Sequence, residues 1–464
     1  MRITLSEHFT IKKLLIFVLP SVVMMVFTSI YSVVDGLFVS NFAGKDAVAA
    51  INYIYPLLMV FGSIGFMIGA GGSALVSKTL GEGDKERANK YFSMLVYITT
   101  GIGVVIAVAG QFFVPSVAKL LGAKEEPIYG YCVTYGRILL ASQPFFIIQN
   151  IFQSFFVTAE KPRLGLFATA SAGVLNMALD AVFVVGFKWG LTGAAVATAI
   201  SQIYGGIFPL VYFSLRNGSL LRLTKTKFYG RAFLKSCTNG SSEFFSNVSS
   251  AVVVILYNYQ IKNLVGDDGV AAYGSIMYIA MIFFSIFMGY AVGSAPLMGY
   301  NYGAKNKPEM RNLFKKSMII MAVTGLVMFG LSEALASSFM KIFGYDKDLY
   351  EMAVRGFRIY GFIFLLVGFN MYGSSLFTAL NNGLVSALIS FLRTIVFQIT
   401  AVMVLPIFFG LDGVWAAALV SDILSLAVTT VFMITMQKRY GYAGKVKEEP
   451  VPEISESATD TDMQ

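Results

Sequence analysis

Long runs of apolar residues that contain no charge are the feature that most limits how this chain can fold. Two of them, Ala47–Ser77 and Val270–Ala304, are long enough at about 1.5 Å per residue to cross a bilayer as helices. They are continuously apolar instead of alternating, which excludes a transmembrane β-barrel. With 56% hydrophobic and 13% charged residues, the composition is also far more apolar than that of a soluble globular protein. The sequence therefore predicts an all-α polytopic membrane protein.

Breaks in the apolar pattern predict twelve transmembrane helices. The predicted spans are 14–40, 51–78, 91–117, 130–158, 164–187, 191–215, 236–262, 269–298, 316–339, 356–380, 384–409 and 413–436. Most lysines and arginines fall in the segments that lie on the same side as the N-terminus, and such basic loops stay in the cytoplasm. We therefore expect both termini in the cytoplasm and the protein in the plasma membrane of a bacterium. The net charge of +9 is a topology signal, and we expect no nucleic-acid partner.

The two halves of the chain resemble each other. The motif that begins Gly44-Lys45-Asp46 returns 222 positions later as Gly266-Asp267-Asp268, and Gly71 and Gly81 return as Gly293 and Gly303. A near-constant offset across six spans indicates an internal duplication, whose two halves are related by an axis along the membrane normal. We divide the chain into an N-terminal six-helix lobe (1–215), a basic linker (216–235), a C-terminal six-helix lobe (236–440) and a disordered acidic tail (441–464). Two such bundles facing a cleft are typical of transporters.

Acidic residues inside the predicted spans are the first functional candidates. A carboxylate at membrane depth costs roughly 2.5–3.5 kcal/mol, so it persists where it faces a partner, a cavity or an ion. Asp35 lies near the outer end of the first span, and Asp180 lies in the outer half of the fifth, one helical turn after Asn176. Thr198 is at a similar depth in the sixth span. The four side chains can therefore form one oxygen-rich cluster.

This cluster has two possible uses. Two carboxylates in a pocket of low dielectric constant cannot both remain ionised alone, so the pair can carry a proton. Alternatively, carboxylate, amide and hydroxyl oxygens suit a small hard cation such as Na⁺. A purely structural role, hydrogen bonding between helices, is the alternative to both.

Arg393, Asp422 and Glu243 are further charged candidates within predicted spans. Arg393 and Asp422 enter the membrane to similar depths from opposite ends of neighbouring spans, which favours a structural ion pair. Glu243 lies near the cytoplasmic end of the seventh span and can bind a cationic substrate or simply be hydrated. The single histidine and two cysteines give no metal-site signal, and no phosphate-binding loop occurs. We expect no metal beyond Na⁺ and no cofactor.

The stretch 19–51, with Pro20 and then Val34-Asp35-Gly36, followed by GAGGSALVSKTLGEGDKERA, resembles the multidrug and toxic compound extrusion (MATE) transporters. The resemblance covers about residues 10–440. It implies export of cationic, amphipathic compounds in exchange for inward Na⁺ or H⁺, by alternating access of two lobes. It also implies that Asp35, Asn176, Asp180 and Thr198 form the cation site and that Pro20 bends the first helix.

The sequence predicts a secondary active multidrug exporter that is not an enzyme and acts as a monomer among membrane lipids. The closest alternative is a lipid-linked saccharide flippase of the same superfamily, which needs cationic residues in its cleft, where only Arg393 is available. An intramembrane aspartyl protease is disfavoured because its Gly-x-Gly-Asp match, at Asp84, lies in a charged loop.

Overall fold

The structure is a computed structural model that describes residues 3–443, and all regular secondary structure in that range is helical. The predicted acidic tail lies almost wholly outside the described residues. The helices are α1 (Ile11–Phe42), α2 (Lys45–Gly81), α3 (Lys85–Leu120), α4 (Ile128–Thr158), α5 (Pro162–Asp180), α6 (Gly190–Ser214), α7 (Gly230–Gly303), α8 (Lys307–Lys341), α9 (Lys347–Gly361), α10 (Phe364–Ala379), α11 (Gly383–Phe391) and α12 (Ile399–Tyr440). Two π-helical segments, Ala181–Gly186 and Leu392–Gln398, follow α5 and α11.

The helices agree with the predicted spans in place, although some are joined or bent. The helical path of α7 breaks at Gly266, and that of α12 breaks at Gly410, so α7 contains two predicted spans. The tenth predicted span is bent by 48° between α9 and α10. In the part of the chain described, eight helices are long and apolar enough to cross a membrane, or nine with that bent pair. One of the eight, 383–440, has 58 residues and is long enough to cross twice. The count of twelve stays a prediction.

Backbone turns repeat along the chain at the same interval as the sequence motifs. A left-handed backbone (φ > 0) ends or breaks helices at pairs of positions that are 221 or 222 residues apart. These pairs are Gly44 and Gly266, Gly83 and Lys305, Gly122 and Gly344, Glu160 and Asn381, and Lys188 and Gly410. Because such a backbone is uncommon outside glycine, its recurrence at matching positions shows that both halves turn in the same way.

The two halves meet where α2 packs against α7. A Cβ atom added to Gly81 would lie 2.0 Å from the carbonyl oxygen of Tyr300, and one added to Gly303 would lie 2.0 Å from that of Lys78. Lys78 and Tyr300 are also 222 positions apart, so the contact is reciprocal. Only residues without a Cβ allow backbones to approach this closely. The glycines that recur in the sequence therefore form the interlobe contact of the fold.

We call the side of the molecule that carries residues 3–10 and 441–443 the terminal side, and the opposite side the far side. Both ends of the described range meet the start of α8 there: His8 contacts Glu309, and the Nε atom of Arg311 donates to the carbonyl of Gly441 at 3.2 Å. The lobes are closed on this side. Besides the glycine contacts, the side-chain amide of Asn381 donates to the carbonyl of Ala74 at 3.1 Å.

Packing differs between the two sides. One apolar cluster lies at the far side of the N-terminal lobe and includes Val39, Ile54 and Leu191. Every described residue in this cluster belongs to the N-terminal lobe. By contrast, the large cluster of the C-terminal lobe includes Leu5, Phe9 and other residues that precede or begin α1. The lobes thus share their packing on the terminal side and pack separately on the far side.

Candidate cation-coupling site and interlobe cleft

Asp35 lies on α1 seven residues before the helix ends, in the far-side half of the N-terminal lobe. The helix begins regularly, because the Thr10 side chain accepts a hydrogen bond from the backbone of Lys13, and it contains Pro20 one-third of the way along. Proline lacks an N–H, so it leaves the carbonyl one turn earlier without its helical donor and favours a bend. The Oδ1 atom of Asp35 is buried and has no hydrogen-bond partner.

Asp180 faces Asp35 from the last residue of α5. Its side chain is 0% exposed, and neither carboxylate oxygen receives a hydrogen bond. Asp35 is close enough to Asp180 for the two carboxyl groups to interact electrostatically. The helix changes to π-helical geometry at the next residue, Ala181, and such π segments occur frequently at functional sites.

Asn176 and Thr198 lie beside this pair. Asn176 is buried one turn before Asp180 on α5, and its Nδ2 atom donates to Thr198 Oγ1 on α6 at 3.4 Å. The structure therefore brings the four predicted residues together from three helices. They supply carboxylate, amide and hydroxyl oxygens. The carboxylates can bind a proton, and the oxygens together can coordinate a small hard cation.

Close approach of α1 to α5 depends on Gly173, which the sequence reasoning did not identify. A Cβ atom there would come within 2.6 Å of the Phe27 ring and 2.8 Å of the Tyr31 ring. Gly173, Asn176 and Asp180 lie at helical spacing on one face of α5. This spacing could have identified Gly173 from the sequence. Tyr135 on α4 was not identified from the sequence either. This residue is buried and near enough to both acids to interact electrostatically.

The pair of acids has a clear chemical consequence. Both oxygens of Asp180 and the Oδ1 atom of Asp35 are buried without a donor, and no described basic side chain pairs with either residue. The two carboxylates therefore repel each other when both are ionised. A proton shared between the two groups, or a cation held between them, removes this repulsion. Occupancy by either therefore changes the attraction between α1 and α5.

The lobes also enclose a cleft of about 360 Å³, lined by both apolar and polar side chains. Apolar lining comes from both lobes and includes Met25, Phe66, Met277, Phe284, Met288 and Met371. Glu243 also lines the cleft and is half-buried. Pro20, by contrast, is buried in α1 outside the residues that line the cleft.

Arg393 and Asp422 form an ion pair in the wall of the cleft. The Nε atom of Arg393 lies 2.8 Å from Asp422 Oδ1, which also accepts from Asn370 Nδ2 at 2.8 Å. Asn370 Oδ1 accepts in turn from Thr429 at 3.2 Å. This network joins α10, the second π segment and α12. Asp422 is 2% exposed, whereas 22% of the Arg393 side chain is exposed toward the cleft.

The C-terminal lobe has no copy of the acid pair. Tyr257, which occupies the repeat position of Asp35, is 1% exposed, and its ring stacks on that of Tyr273 with centroids 5.0 Å apart. The second lobe thus packs aromatic rings where the first places a carboxylate. The two lobes share a backbone path and differ in chemistry.

Comparisons with known proteins agree with the duplication. The family model MatE matches the chain twice, at residues 20–182 and 241–404. The multidrug export protein MepA of Staphylococcus haemolyticus (strain JCSC1435) is 24% identical over 435 residues, which cover 94% of this chain and 95% of that protein.

Solved structures share the fold. A crystal structure of MATE in complex with MaL6 superposes with a TM-score of 0.89 at 20% identity, covering 95% of this chain and 98% of that one. A structure described as the outward-facing conformation of a multidrug resistance MATE family transporter of the MOP superfamily gives 0.88 at 21% identity, with the same coverage.

Proposed function

The chain belongs to the MatE family of transporters, and from this premise we propose that it is a secondary active multidrug exporter. It moves cationic or amphipathic small molecules out of the cell, and inward movement of Na⁺ or H⁺ drives the exchange. Its relatives of the MepA type are multidrug export proteins, which supports the direction and breadth of transport.

The observation that carries this proposal is the buried pair of Asp35 and Asp180. Neither Asp180 oxygen receives a hydrogen bond, so the pair gains most from a mobile positive charge. If the two acids served only as a structural ion pair or a hydrogen-bonded bridge, they would already have partners and would not require a bound cation. Asn176 and Thr198 add neutral oxygens beside the acids, which favours Na⁺ as well as H⁺.

We assign the terminal side to the cytoplasm, because most basic residues of the chain lie in segments on that side. The conformation described here is then closed toward the cytoplasm and faces outward. In this state the coupling cation enters from outside and neutralises the acid pair.

The mechanism follows from where α1 packs. Neutralising Asp35 and Asp180 removes their repulsion and lets the far half of α1 move against α5. The helix bends at Pro20, and this movement displaces substrate from the cleft to the outside. Release of the cation on the cytoplasmic side completes the cycle of alternating access.

The lining of the cleft supports the substrate class. Methionine and phenylalanine side chains repack around varied apolar groups, and Met277, Phe284 and Met288 supply such a surface. Glu243 has no ion-pair partner among the described residues and supplies a negative charge for a cationic substrate.

The test is efflux of a fluorescent lipophilic cation from proteoliposomes, with a Na⁺ gradient and a pH gradient imposed separately. We expect one of the gradients to drive transport, and Asp180→Asn to abolish it while the protein remains folded. Undiminished efflux in the variant excludes the acid pair as the coupling site.

A lipid-linked saccharide flippase of the same superfamily is the second candidate, because Arg393 lines the cleft and flippases of that kind need cationic residues there. However, Asp422 already neutralises Arg393, so we favour the exporter. Transport of a lipid-linked saccharide, with no efflux of the lipophilic cation under either gradient, reverses this preference.

We propose no catalytic residue, cofactor or nucleic-acid partner, and we expect the monomer to be the working unit. Membrane lipids and the transported molecules are its partners. Gel filtration in detergent combined with light scattering tests the monomer.

A further inference from the structure

The segment before α1, residues 4–9, contacts the C-terminal lobe although it begins the N-terminal one. We call it the strap. Leu5 and Phe9 are fully buried and belong to the apolar cluster of the C-terminal lobe. Phe9 also packs edge-on against Phe17 of α1, with ring centroids 5.8 Å apart.

Glu309, in the first turn of α8, is the main polar contact of the strap. Glu309 is buried, with 6% of the residue exposed. Its Oε1 atom accepts from the backbone N–H of Phe9 at 3.0 Å and from Asn312 Nδ2 at 2.8 Å, and its Oε2 atom lies 2.6 Å from His8 Nδ1. A buried carboxylate bonded in this way makes strong, charge-assisted hydrogen bonds.

The carbonyl of Phe9 is held from the same helix. It accepts from Asn312 Nδ2 at 2.9 Å and from the ammonium group of Lys316. Since α1 begins at Ile11, its start is attached to α8 of the opposite lobe through both backbone groups of Phe9.

The other end of the strap reaches the N-terminal lobe. The backbone N–H of Leu5 donates to Glu160 Oε1, just after α4, at 2.8 Å. Between the two ends, Glu7 accepts from the backbone of Thr4 and pairs with Lys13. Hydrogen bonds from Lys13 and from Thr4 lower the pKa of Glu7 to about 2. The Glu7 carboxylate therefore stays ionised and keeps its bond to Lys13 at physiological pH.

The start of α7 is attached in the corresponding way. The linker before it packs on α3 of the N-terminal lobe, where the backbone N–H of Thr224 donates to Ser93 Oγ at 2.8 Å and the ring of Tyr229 lies 5.3 Å from that of Tyr91. Each lobe therefore holds the start of the other lobe's first helix.

We propose that Glu309 is a positioning residue for α1, and that the strap it holds makes α1 follow the C-terminal lobe on the terminal side. The far half of α1, with Asp35, packs on α5 of the N-terminal lobe. When the lobes move relative to each other, the two ends of α1 move with different lobes, and the helix bends at Pro20, which lies between them. The same contacts stabilise closure of the terminal side. This inference rests on the alternating access of the proposed function.

The experiment measures closure without any transport. Cys237, on the terminal side of α7, follows Ser236, whose carbonyl contacts Gly71 of α2, and it packs against the N-terminal lobe. Cys132 is fully buried on the far side. In a Cys132→Ala background, alkylation of Cys237 by a maleimide in detergent therefore reports separation of the lobes on the terminal side.

We expect Glu309→Gln to raise the alkylation rate about tenfold, because a shift of the two-state equilibrium changes the open population in proportion. Asn312→Ala, which removes a donor to Phe9 and leaves the carboxylate, should raise it less. Glu86→Gln is the matched control, since its exposed ion pair with Lys90 stays within α3; it should leave the rate unchanged.

A purely structural role for Glu309 predicts a lower melting temperature with alkylation equal to that of the parent well below melting. That result in both Glu309→Gln and Asn312→Ala overturns the proposal. Because the measurement needs neither substrate nor gradient, it remains decisive even where the efflux assay shows no transport.

Discussion

Gly81 and Gly303 form a reciprocal contact, each lying against the backbone of the helix that carries the other. Added Cβ atoms would come within 2.0 Å of a carbonyl oxygen in both cases. Equivalent residues of a duplicated chain thus meet on the axis that relates the two lobes. An interface of this kind closes only when both backbones reach full contact.

Alanine at either glycine should favour separation of the lobes on the terminal side. Overpacking costs about 1–3 kcal/mol when neither backbone can yield, and the reciprocal geometry predicts similar effects for Gly81→Ala and Gly303→Ala. Spin labels at Lys85 and Lys307, which are exposed on opposite lobes, should show a larger population of long distances. Gly101→Ala is the control, because a Cβ there meets open space. Unchanged distances in both variants exclude the contact as the closure point.

Thr198→Val should distinguish the coupling ions. Valine has nearly the same shape and offers no oxygen to a cation, whereas the carboxyl groups of Asp35 and Asp180 remain able to share a proton. We expect sodium-driven efflux to fall at least tenfold and proton-driven efflux to change little. The same loss of efflux under both gradients would show that Thr198 does not bind Na⁺ directly but holds Asn176 in place.

Removing one partner of the Arg393–Asp422 pair should destabilise the protein more than removing both. A single Arg393→Leu leaves a buried carboxylate without its cation, at a cost of about 3–5 kcal/mol, while a double replacement by apolar residues is often neutral. Thermal unfolding in detergent of Arg393→Leu, Asp422→Leu and the double variant tests this. Equal melting temperatures for the three contradict a structural pair and point to a role in the cleft.

Pro20→Ala should slow efflux without weakening substrate binding. Alanine restores the missing backbone donor in α1 and straightens the helix, so bending becomes more costly by an amount of order 3 kcal/mol. The maximal efflux rate should fall while the substrate concentration at half-maximal rate stays the same. A change confined to that concentration would instead place Pro20 in substrate binding, which its position outside the cleft lining disfavours.

The membrane class and the duplication could be predicted from the sequence because both depend on local information. Apolar length determines whether a helix can cross a bilayer, and the repeat of Gly44, Gly71 and Gly81 at a constant offset reflects turns and contacts that recur in the fold. The juxtaposition of Asp35 with Asn176 and Asp180 could be predicted from depth and helical spacing, since transmembrane helices run roughly along the membrane normal and residues at equal depth can meet.

Tertiary structure decided what depends on contacts between distant segments. The role of Gly173 is apparent only when α1 is seen against α5, and the bend between α9 and α10 leaves no mark in hydropathy. His8 and Glu309, which no sequence pattern connects, meet across 301 positions. A one-dimensional pattern records the depth and periodicity of a residue, whereas the choice of partner depends on how lobes pack. For that reason the sequence alone determined the candidate cation site, and only the fold revealed how the opposite lobe holds the helix that carries it.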